Sequence, residues 1–289
     1  MAAMTESNGT FAQALIADSN ETYYFCQAMG LTLALAKSEG HHFIDDSVEG
    51  FAYQDRTGRW RLTTLLPRVT REHFGWGVVT DVRRDLGAFV DIGLADKDIV
   101  VSMDDMPLTK EEWPKKGDQL YIKLISDSKD RLWGHLAWQE DFWALANHAY
   151  DNMQNEQLRA IVYRNKESGS FVYLPDNQML GFIHPSERLT TLRVGQELTA
   201  RVIGYREENR TLYLSQKPRS FEMLDADGQM ILAYLETSGG TMPFNDKSTP
   251  DEIQATFGIS KGQFKKALGG LMKQKKITQS PAGTALIKK

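Results

Sequence analysis

A phenylalanine stands among small, turn-forming residues in two short segments, GAFV at 87–90 and GSFV at 169–172. Because side chains alternate along an extended strand, Phe89 and Phe171 face away from the small and apolar residues on either side of them. An aromatic ring on that outer face is either a lone apolar surface group or a platform for a flat ligand. It could also be covered by a neighbouring domain, so alternation alone leaves three interpretations open.

Side chains that could hydrolyse a bond or hold a metal are present, but their spacing is unfavourable. Asp45–Asp46 and Asp104–Asp105 are adjacent pairs, and neighbours in sequence point in different directions. His41–His42 has no third metal ligand nearby in the sequence, whereas hydrolysis by a metal needs clustered ligands. The chain also has no CxxC, HExxH, GxxxxGK[ST] or GxSxG motif. We therefore predict no catalytic residues, no metal site, no cofactor and no enzymatic activity.

The charge of the chain is unevenly distributed. The 289 residues carry a net charge of −4, which argues against a bulk coating of nucleic acid. Residues 259–289 nevertheless contain eight lysines and no acidic residue, and 157–217 contain nine Lys/Arg against six Asp/Glu. Local basic surface on an acidic chain favours localised contact with a polyanion. The alternative is a solvated basic tail.

The sequence indicates a cytoplasmic protein without a membrane partner. It contains no apolar run of about 18 residues and no N-terminal secretion signal. Its single cysteine, Cys26, cannot form an internal disulfide, which fits a reducing compartment.

Short strands separated by Gly, Asp or Asn turns dominate up to about residue 217, and their order repeats. From Gly77 the order is strand, turn, GAFV strand, strand, a variable stretch and a closing hairpin, and from Leu158 it recurs. Five strands in about 60 residues is the size of a small Greek-key barrel of the OB type. The repeat also pairs Arg131–Leu132 with Arg210–Thr211. A helix near 137–152 is predicted to connect the two units.

After residue 217 the pattern becomes helical, and it predicts a winged helix-turn-helix. Thr249 and Ser260 are good N-cap residues for two of three helices, and two short strands follow the third. Lys266 and Lys273 fall opposite the apolar stripe of the third helix, next to Lys265. This basic surface is compatible with DNA or RNA, but winged helices also bind proteins, so both kinds of partner stay open.

The β repeat resembles the S1 RNA-binding domain through its GAFV-type strand, GFIHPSE at 181–187 and the closing RVGQELTARVI with RTLYLS. Residues 1–66 look like a third, degraded copy that lacks the GxFV signature. The whole order resembles the CvfB family. This implies a mainly β fold with tandem five-stranded S1/OB-type barrels, followed by an α+β winged helix. The predicted segments are a degraded S1-like domain at 1–66, S1 domains at 67–137 and 155–218, a helical connector at 138–154 and a winged helix at 219–289.

In the second S1 copy the resemblance places the RNA-binding site on Phe89, with Asp127 and Arg131 in the closing hairpin. Leu86 stands where a second aromatic residue is usual, and Ser102 stands where His is usual. The copy also carries more acidic than basic residues. We therefore expect this unit to be partly structural.

In the third copy the resemblance places the site on Phe171, His184, Arg206 and Arg210, with Ser168 at the second aromatic position. Arg206 replaces the aspartate of the second copy, which raises the local positive charge. The third unit is therefore predicted to be the better RNA site. His184 could instead have a structural role, and Arg210 could be only an ion-pair partner.

The resemblance implies a non-catalytic bacterial regulator that binds single-stranded RNA. Two alternatives stay open. One is a ribosome- or translation-associated factor. The other is an RNA-processing enzyme, since S1 domains often accompany ribonucleases, although small binding modules account for the whole chain here.

Overall fold

The computed structural model describes residues 7–147, 153–217 and 226–287, and it confirms the predicted fold class. Tandem closed five-stranded barrels are followed by a small helical domain with a three-stranded sheet. The chain divides after Lys217 into two compact units, which are described separately below. In the described part of the chain, no helix is long and apolar enough to cross a membrane.

The opening segment folds as a closed barrel, although it lacks the GxFV signature. Its strands close in the order β1-β2-β3-β5-β4 around an apolar core that includes Cys26. Burial raises the pKa of the Cys26 thiol. The strands are β1 (Thr10–Ser19), β2 (Tyr23–Ala28), β3 (Leu31–Ala36), β4 (Ser47–Gln54) and β5 (Trp60–Thr63).

The second barrel shows the alternation that the sequence predicts. Ala88, Val90 and Ile92 are fully buried, whereas Phe89 and Asp91 lie on the outer face. Its strands close in the order β10-β8-β7-β6-β9. They are β6 (Gly75–Arg83), β7 (Gly87–Asp91), β8 (Ile99–Ser102), β9 (Gln119–Ser126) and β10 (Leu132–Leu136).

A short helix precedes the third barrel. Helix α1 (Gln139–Leu145) has seven residues, so it is shorter than the predicted connector, of which 148–152 lie outside the described residues. The barrel then closes in the order β11-β12-β13-β15-β14. Its strands are β11 (Gln157–Lys166), β12 (Gly169–Leu174), β13 (Met179–Ile183), β14 (Glu197–Arg206) and β15 (Thr211–Ser215).

All three barrels carry an irregularity at the same point of their first hairpin. The register shifts between Ile16 and Asp18 in β1, and between the corresponding residues of β6 and β11. A bulge of this kind increases the local twist and bends the strand. After the shift, the next residue of the first strand pairs directly with a phenylalanine of the second: Asp18 with Phe25, Asp81 with Phe89, and Arg164 with Phe171.

Polar and apolar contacts join the first barrel to the second. Phe51 and Tyr53 of β4 belong to the apolar cluster that fills the second barrel. The Asn8 amide donates to the carbonyl of Asp130 at 2.6 Å, and Arg71 donates to the carbonyl of Asn8 at 2.6 Å. The two barrels therefore share core side chains as well as surface contacts.

The second and third barrels are joined by an ion pair and by aromatic rings. The Arg193 guanidinium donates two hydrogen bonds to the Asp118 carboxylate, at 3.1 and 3.0 Å. Beside this pair, Phe142 of α1 packs among rings of both barrels, including Trp76 and Tyr163. We refer to Phe142 and the rings of Trp76, Tyr121, Tyr163 and Tyr173 as the inter-barrel aromatic cluster.

The C-terminal unit is the predicted winged helix. Thr249 and Ser260 each accept a backbone N–H at the third helical position in a capping box, as the sequence predicts. The predicted start of the first helix, 221–225, lies outside the described residues. The elements are α2 (Ala226–Thr237), β16 (Thr241–Met242), α3 (Pro250–Phe257), α4 (Lys261–Lys273), β17 (Ile277–Ser280) and β18 (Gly283–Leu286), with sheet order β16-β18-β17.

Candidate nucleic-acid interface

Three aromatic rings form a row across the outer face of the third barrel. Phe171 on β12 pairs with Phe182 on β13, which pairs with Tyr213 on β15. The ring centroids are 5.2 Å apart for the first pair and 5.7 Å for the second, and both pairs meet edge to face. We call these three residues the aromatic row. Flat rings on adjacent strands are what a series of stacked bases requires.

Two members of the aromatic row were not predicted. Phe182 lies between buried Gly181 and Ile183, and Tyr213 lies between two buried leucines. The alternation that identified Phe171 therefore applies to both. Phe182 lies in GFIHPSE and Tyr213 lies in RTLYLS, so the alternation of outward and buried residues is visible within the two segments that carry the S1 resemblance.

The aromatic row lines a pocket of about 240 Å³ together with Arg206 and Ser168. The Arg206 guanidinium bonds to the Tyr213 hydroxyl at 3.4 Å and to Glu208 at 2.8 Å, and these contacts raise its pKa. The Lys166 ammonium lies 5.1 Å from the centroid of the Phe171 ring. The structure thus brings Phe171 and Arg206 together, as predicted, and adds Lys166 to the cations beside them.

His184 lies near the site but does not line the pocket. It follows the last residue of β13, is exposed, and precedes a short 3₁₀ helix over Pro185–Glu187. Its Nδ1 accepts the Ser186 N–H at 3.2 Å and contacts the Ser186 hydroxyl at 2.7 Å. The local geometry therefore gives His184 a capping role, which was the alternative interpretation of this residue.

Arg210 also lies outside the pocket lining, because the predicted repeat alignment was one residue out of register. Strand pairing makes Trp133 equivalent to Tyr213, and therefore Leu132 equivalent to Leu212. Arg210 then corresponds to Asp130, and both residues have left-handed backbone angles at the end of their hairpin turn. The position of Arg131 is taken in the third barrel by Thr211.

Phe89 occupies a different environment from Phe171. It is half-buried, not fully exposed as predicted, because the β7–β8 loop forms a groove of about 700 Å³ beside it. The groove is lined by Asp91, Asp96 and Asp98, and on the basic side by Arg56. Lys97 also lines it, but its ammonium donates to the Gln54 carbonyl at 2.5 Å. The groove beside Phe89 therefore carries three carboxylates and two cations, whereas the pocket of Phe171 has Arg206 and, among the described residues, no carboxylate in its lining.

Asp127 and Arg131 pair with each other in the second barrel. The Arg131 Nε donates to Asp127 Oδ2 at 2.7 Å, and the Trp133 indole N–H donates to the same oxygen at 3.3 Å. The backbone N–H of Arg131, with these side-chain donors, lowers the pKa of Asp127. Trp133 is the unpredicted counterpart of Tyr213. The residue between it and Phe89 is Val100, so this barrel lacks a continuous aromatic row.

The first barrel retains a ring at the same position. Phe25 pairs with Ala34 on β3, which pairs with Arg61 on β5. Arg61 is an ion-pair partner of Asp55 at 2.9 Å and of Asp96 at 3.4 Å. Phe25 was not identified from the sequence because it lies in YYFCQA, without the glycine that marks the other two copies.

The winged helix presents the predicted lysines to solvent. Lys265, Lys266 and Lys273 of α4 are exposed, whereas Phe264, Leu268 and Leu271 are buried in the core of this unit. Among the described residues of the chain, no group of three or more His, Cys, Asp or Glu side chains could hold a metal ion.

Family models match the chain in four consecutive segments. The CvfB first S1-like domain matches 74–135, and the second domain of the virulence regulatory factor CvfB matches 142–218. The CvfB-like winged helix domain matches 229–286. The first barrel matches the S1 domain over 8–65. The family's first S1-like domain thus corresponds to the second barrel of this chain.

Similar proteins agree with these assignments over most of the chain. It is 38% identical over 255 residues to "Uncharacterized protein YitL" of Bacillus subtilis, covering 88% of this chain and 85% of that protein. It is 36% identical over 249 residues to "Conserved virulence factor B" of Staphylococcus epidermidis, covering 85% and 82%.

A solved structure from Streptococcus pneumoniae, described as a multidomain protein with nucleic acid binding domains, is 64% identical to this chain. The match has a TM-score of 0.74 and covers 97% of this chain and 99% of that one. Together with the family models and the curated relatives, it assigns the chain to a group with S1-type barrels and a winged helix. The protein belongs to the CvfB family.

Proposed function

We propose that this protein binds single-stranded RNA through the aromatic row of its third barrel. The observation that carries the proposal is the row itself, Phe171, Phe182 and Tyr213, with Arg206 in the same pocket. Bases stack on the rings, at about 1–3 kcal/mol per base, while cations attract the phosphates. We further propose that the protein is a non-catalytic, cytoplasmic regulator.

The charge at one fixed position supports the choice of barrel. The residue paired with the outward phenylalanine is Arg164 in the third barrel, but Asp81 in the second and Asp18 in the first. Directly paired residues place their side chains on the same face of a sheet. The Arg164 guanidinium itself lies over Trp138 at the neighbouring cleft, whereas Arg206 lines the Phe171 pocket at the position that Asp127 occupies in the second barrel. Both charges favour a polyanion on the third barrel over the second.

Titration of a labelled single-stranded RNA at several salt concentrations tests the proposal. Phe171→Ala should weaken binding about tenfold with little change in the salt dependence, because it removes a stacking surface and no charge. Arg206→Gln should weaken binding and reduce the slope of log K against log[salt], because it removes a phosphate contact. Phe89→Ala is the matched control and should have the smaller effect.

The variants also separate loss of binding from loss of folding. Phe171 packs partly against the inter-barrel aromatic cluster, so unfolding of each variant is measured in parallel. Arg206 is exposed, and its replacement should leave stability nearly unchanged. If both variants bind like the parent protein, or the parent binds no RNA, the proposed site is wrong.

The proposed regulatory role has a competing interpretation, a ribosome- or translation-associated factor. Crosslinking the protein to RNA in cells and sequencing the RNA would distinguish them. A regulator should be recovered on a set of messenger or small RNAs, whereas a ribosomal factor should be recovered on ribosomal RNA and should co-sediment with ribosomes. We assign Lys265, Lys266 and Lys273 of the winged helix to a second contact with nucleic acid, with a protein partner as the alternative.

A further inference from the structure

Two exposed tryptophans lie on either side of a buried phenylalanine, Trp138 at the N-cap of α1 and Trp143 within the helix. Phe142 is 1% exposed, whereas Trp143 is 54% and Trp138 is 48% exposed. Tryptophan carries a large apolar ring that usually contributes to cores and interfaces. Two such rings left in solvent within six residues, 138–143, therefore call for a ligand or a structural explanation.

The two tryptophans line different cavities. Trp143 lines the 240 Å³ pocket of the aromatic row, together with Gln139 of the same helix. Trp138 instead lines a cleft of about 660 Å³ between the second and third barrels, and the Arg164 guanidinium lies 4.5 Å from its ring centroid. Trp138 thus already has a partner in the fold. Trp143 adds a ring from outside the barrel to the pocket that the sheet lines from the other side.

The helix holds Trp143 in place, because it is attached to the third barrel along its length. The Phe142 ring stacks on Tyr163 with centroids 4.1 Å apart. At the start of the helix, Lys166 donates to the Gln139 side chain at 3.3 Å. After its end, the Asn147 N–H donates to the Gln178 carbonyl at 2.6 Å. These contacts fix the backbone that carries Trp143, and a backbone fixed before binding loses less conformational freedom when the ligand arrives.

We propose that Trp143 is a base-stacking residue, and that the pocket between α1 and the aromatic row receives an unpaired RNA base. This rests on the proposed function and deepens it. The pocket is smaller than the roughly 300–1,000 Å³ typical of sites for drug-sized ligands, which fits a flat base better than a larger molecule. Arg206 at the same pocket and Lys166 beside Phe171 supply positive charge for the adjoining phosphates.

The pocket also selects for single strands. A base in a duplex is paired on one edge and stacked on both faces, so it enters a pocket of this kind only after it leaves the helix, at a cost of a few kcal/mol. A single strand avoids most of that cost. Trp143 therefore contributes to the preference for single-stranded RNA as well as to affinity.

The test compares Trp143→Ala with Trp138→Ala, a matched control of the same residue type at the N-cap of the same helix. The probe is a fluorescein-labelled oligoadenylate, with an RNA duplex of the same length as competitor. Trp143→Ala should weaken binding of the single strand about tenfold, with an unchanged salt slope, and should weaken duplex binding much less. Trp138→Ala should bind within about twofold of the parent, since its ring lines the other cleft.

A second variant guards against misfolding. Trp143→Phe keeps an aromatic face and should retain most of the affinity, while the fluorescence quenching that bound RNA causes in the parent should decrease. If Trp143→Ala binds like the parent while Phe171→Ala is weakened, the role of Trp143 is refuted and the proposed function stands. If the parent binds no RNA, the proposed function fails and this inference fails with it.

Discussion

Replacing Phe142 with alanine should destabilise the protein strongly and should uncouple its second and third barrels. The ring is almost fully buried, with centroids 4.1 Å from Tyr163, 5.3 Å from Tyr121, 5.8 Å from Tyr173 and 6.1 Å from Trp76. Truncation of a buried Phe costs about 3–5 kcal/mol, and an aromatic pair contributes about 0.5–1.5 kcal/mol beyond the buried area, so four lost pairs place the cost at the upper end of that range.

The coupling follows from where those four rings lie. Trp76 and Tyr121 belong to the second barrel, and Tyr163 and Tyr173 belong to the third. Phe142 therefore contributes to the stability of both barrels at once. Its loss should change a shared unfolding transition into two separate ones, with the third barrel also losing the support of α1.

Urea denaturation followed by tryptophan fluorescence and far-UV circular dichroism measures this effect. Trp143→Ala is the control, because the neighbouring exposed side chain should change the free energy of unfolding by about 0.5 kcal/mol or less. Phe142→Leu should fall between the two, since it retains apolar volume but no ring. If Phe142→Ala unfolds at the parent's midpoint and in the same single transition, the inter-barrel aromatic cluster does not couple the barrels.

Two further predictions concern charged groups. Burial alone would raise the pKa of Asp55, but hydrogen bonds from Thr57 and Arg61 lower it below its usual value. The carboxylate therefore stabilises the fold above the pKa of the unfolded chain, about 3.9, and this contribution is lost as the pH falls through the lower folded value. Asp55→Asn should lower the free energy of unfolding at pH 7 by about 1–3 kcal/mol, with a deficit that shrinks below about pH 3.9 in acid titrations. Reversing the charge of Lys266 and Lys273 together should weaken RNA binding and reduce the salt slope by about 1 per lysine; unchanged binding and slope would favour a protein partner for the winged helix.

Local patterns and the repeated strand order, together with the resemblance to the S1 domain and the CvfB family, were sufficient to predict the fold class. Alternation around Phe89 and Phe171 predicted which side chains fill the barrels, because period-2 burial depends only on neighbours along one strand. The capping residues Thr249 and Ser260 marked where two helices begin, and both form the expected capping boxes. These features are determined within a few residues of the chain, so a single sequence reveals them.

The candidate site depended on longer-range geometry, and there the prediction was incomplete. Arg210 was paired with Arg131, although the third barrel has one more residue in its closing turn, which only the strand register reveals. Trp143 could not be placed in the pocket, because its position depends on how α1 packs against the third barrel. His184 was assigned by resemblance, and its contacts with Ser186 favour a local capping role.

The bulge that recurs in β1, β6 and β11 gives the tandem barrels one equivalent outer-face position at which the charge can vary. It holds one residue of the first strand opposite the outward phenylalanine, independently of the core that the other face fills. An exchange there, such as the difference between Asp81 and Arg164, reverses the charge on the outer face and leaves the residues that fill the barrel unchanged. Selection can therefore adjust each module for a cation-rich or an anion-rich partner by single substitutions. At this position the three barrels of this chain carry Asp, Asp and Arg, so they differ in the charge opposite the outward phenylalanine.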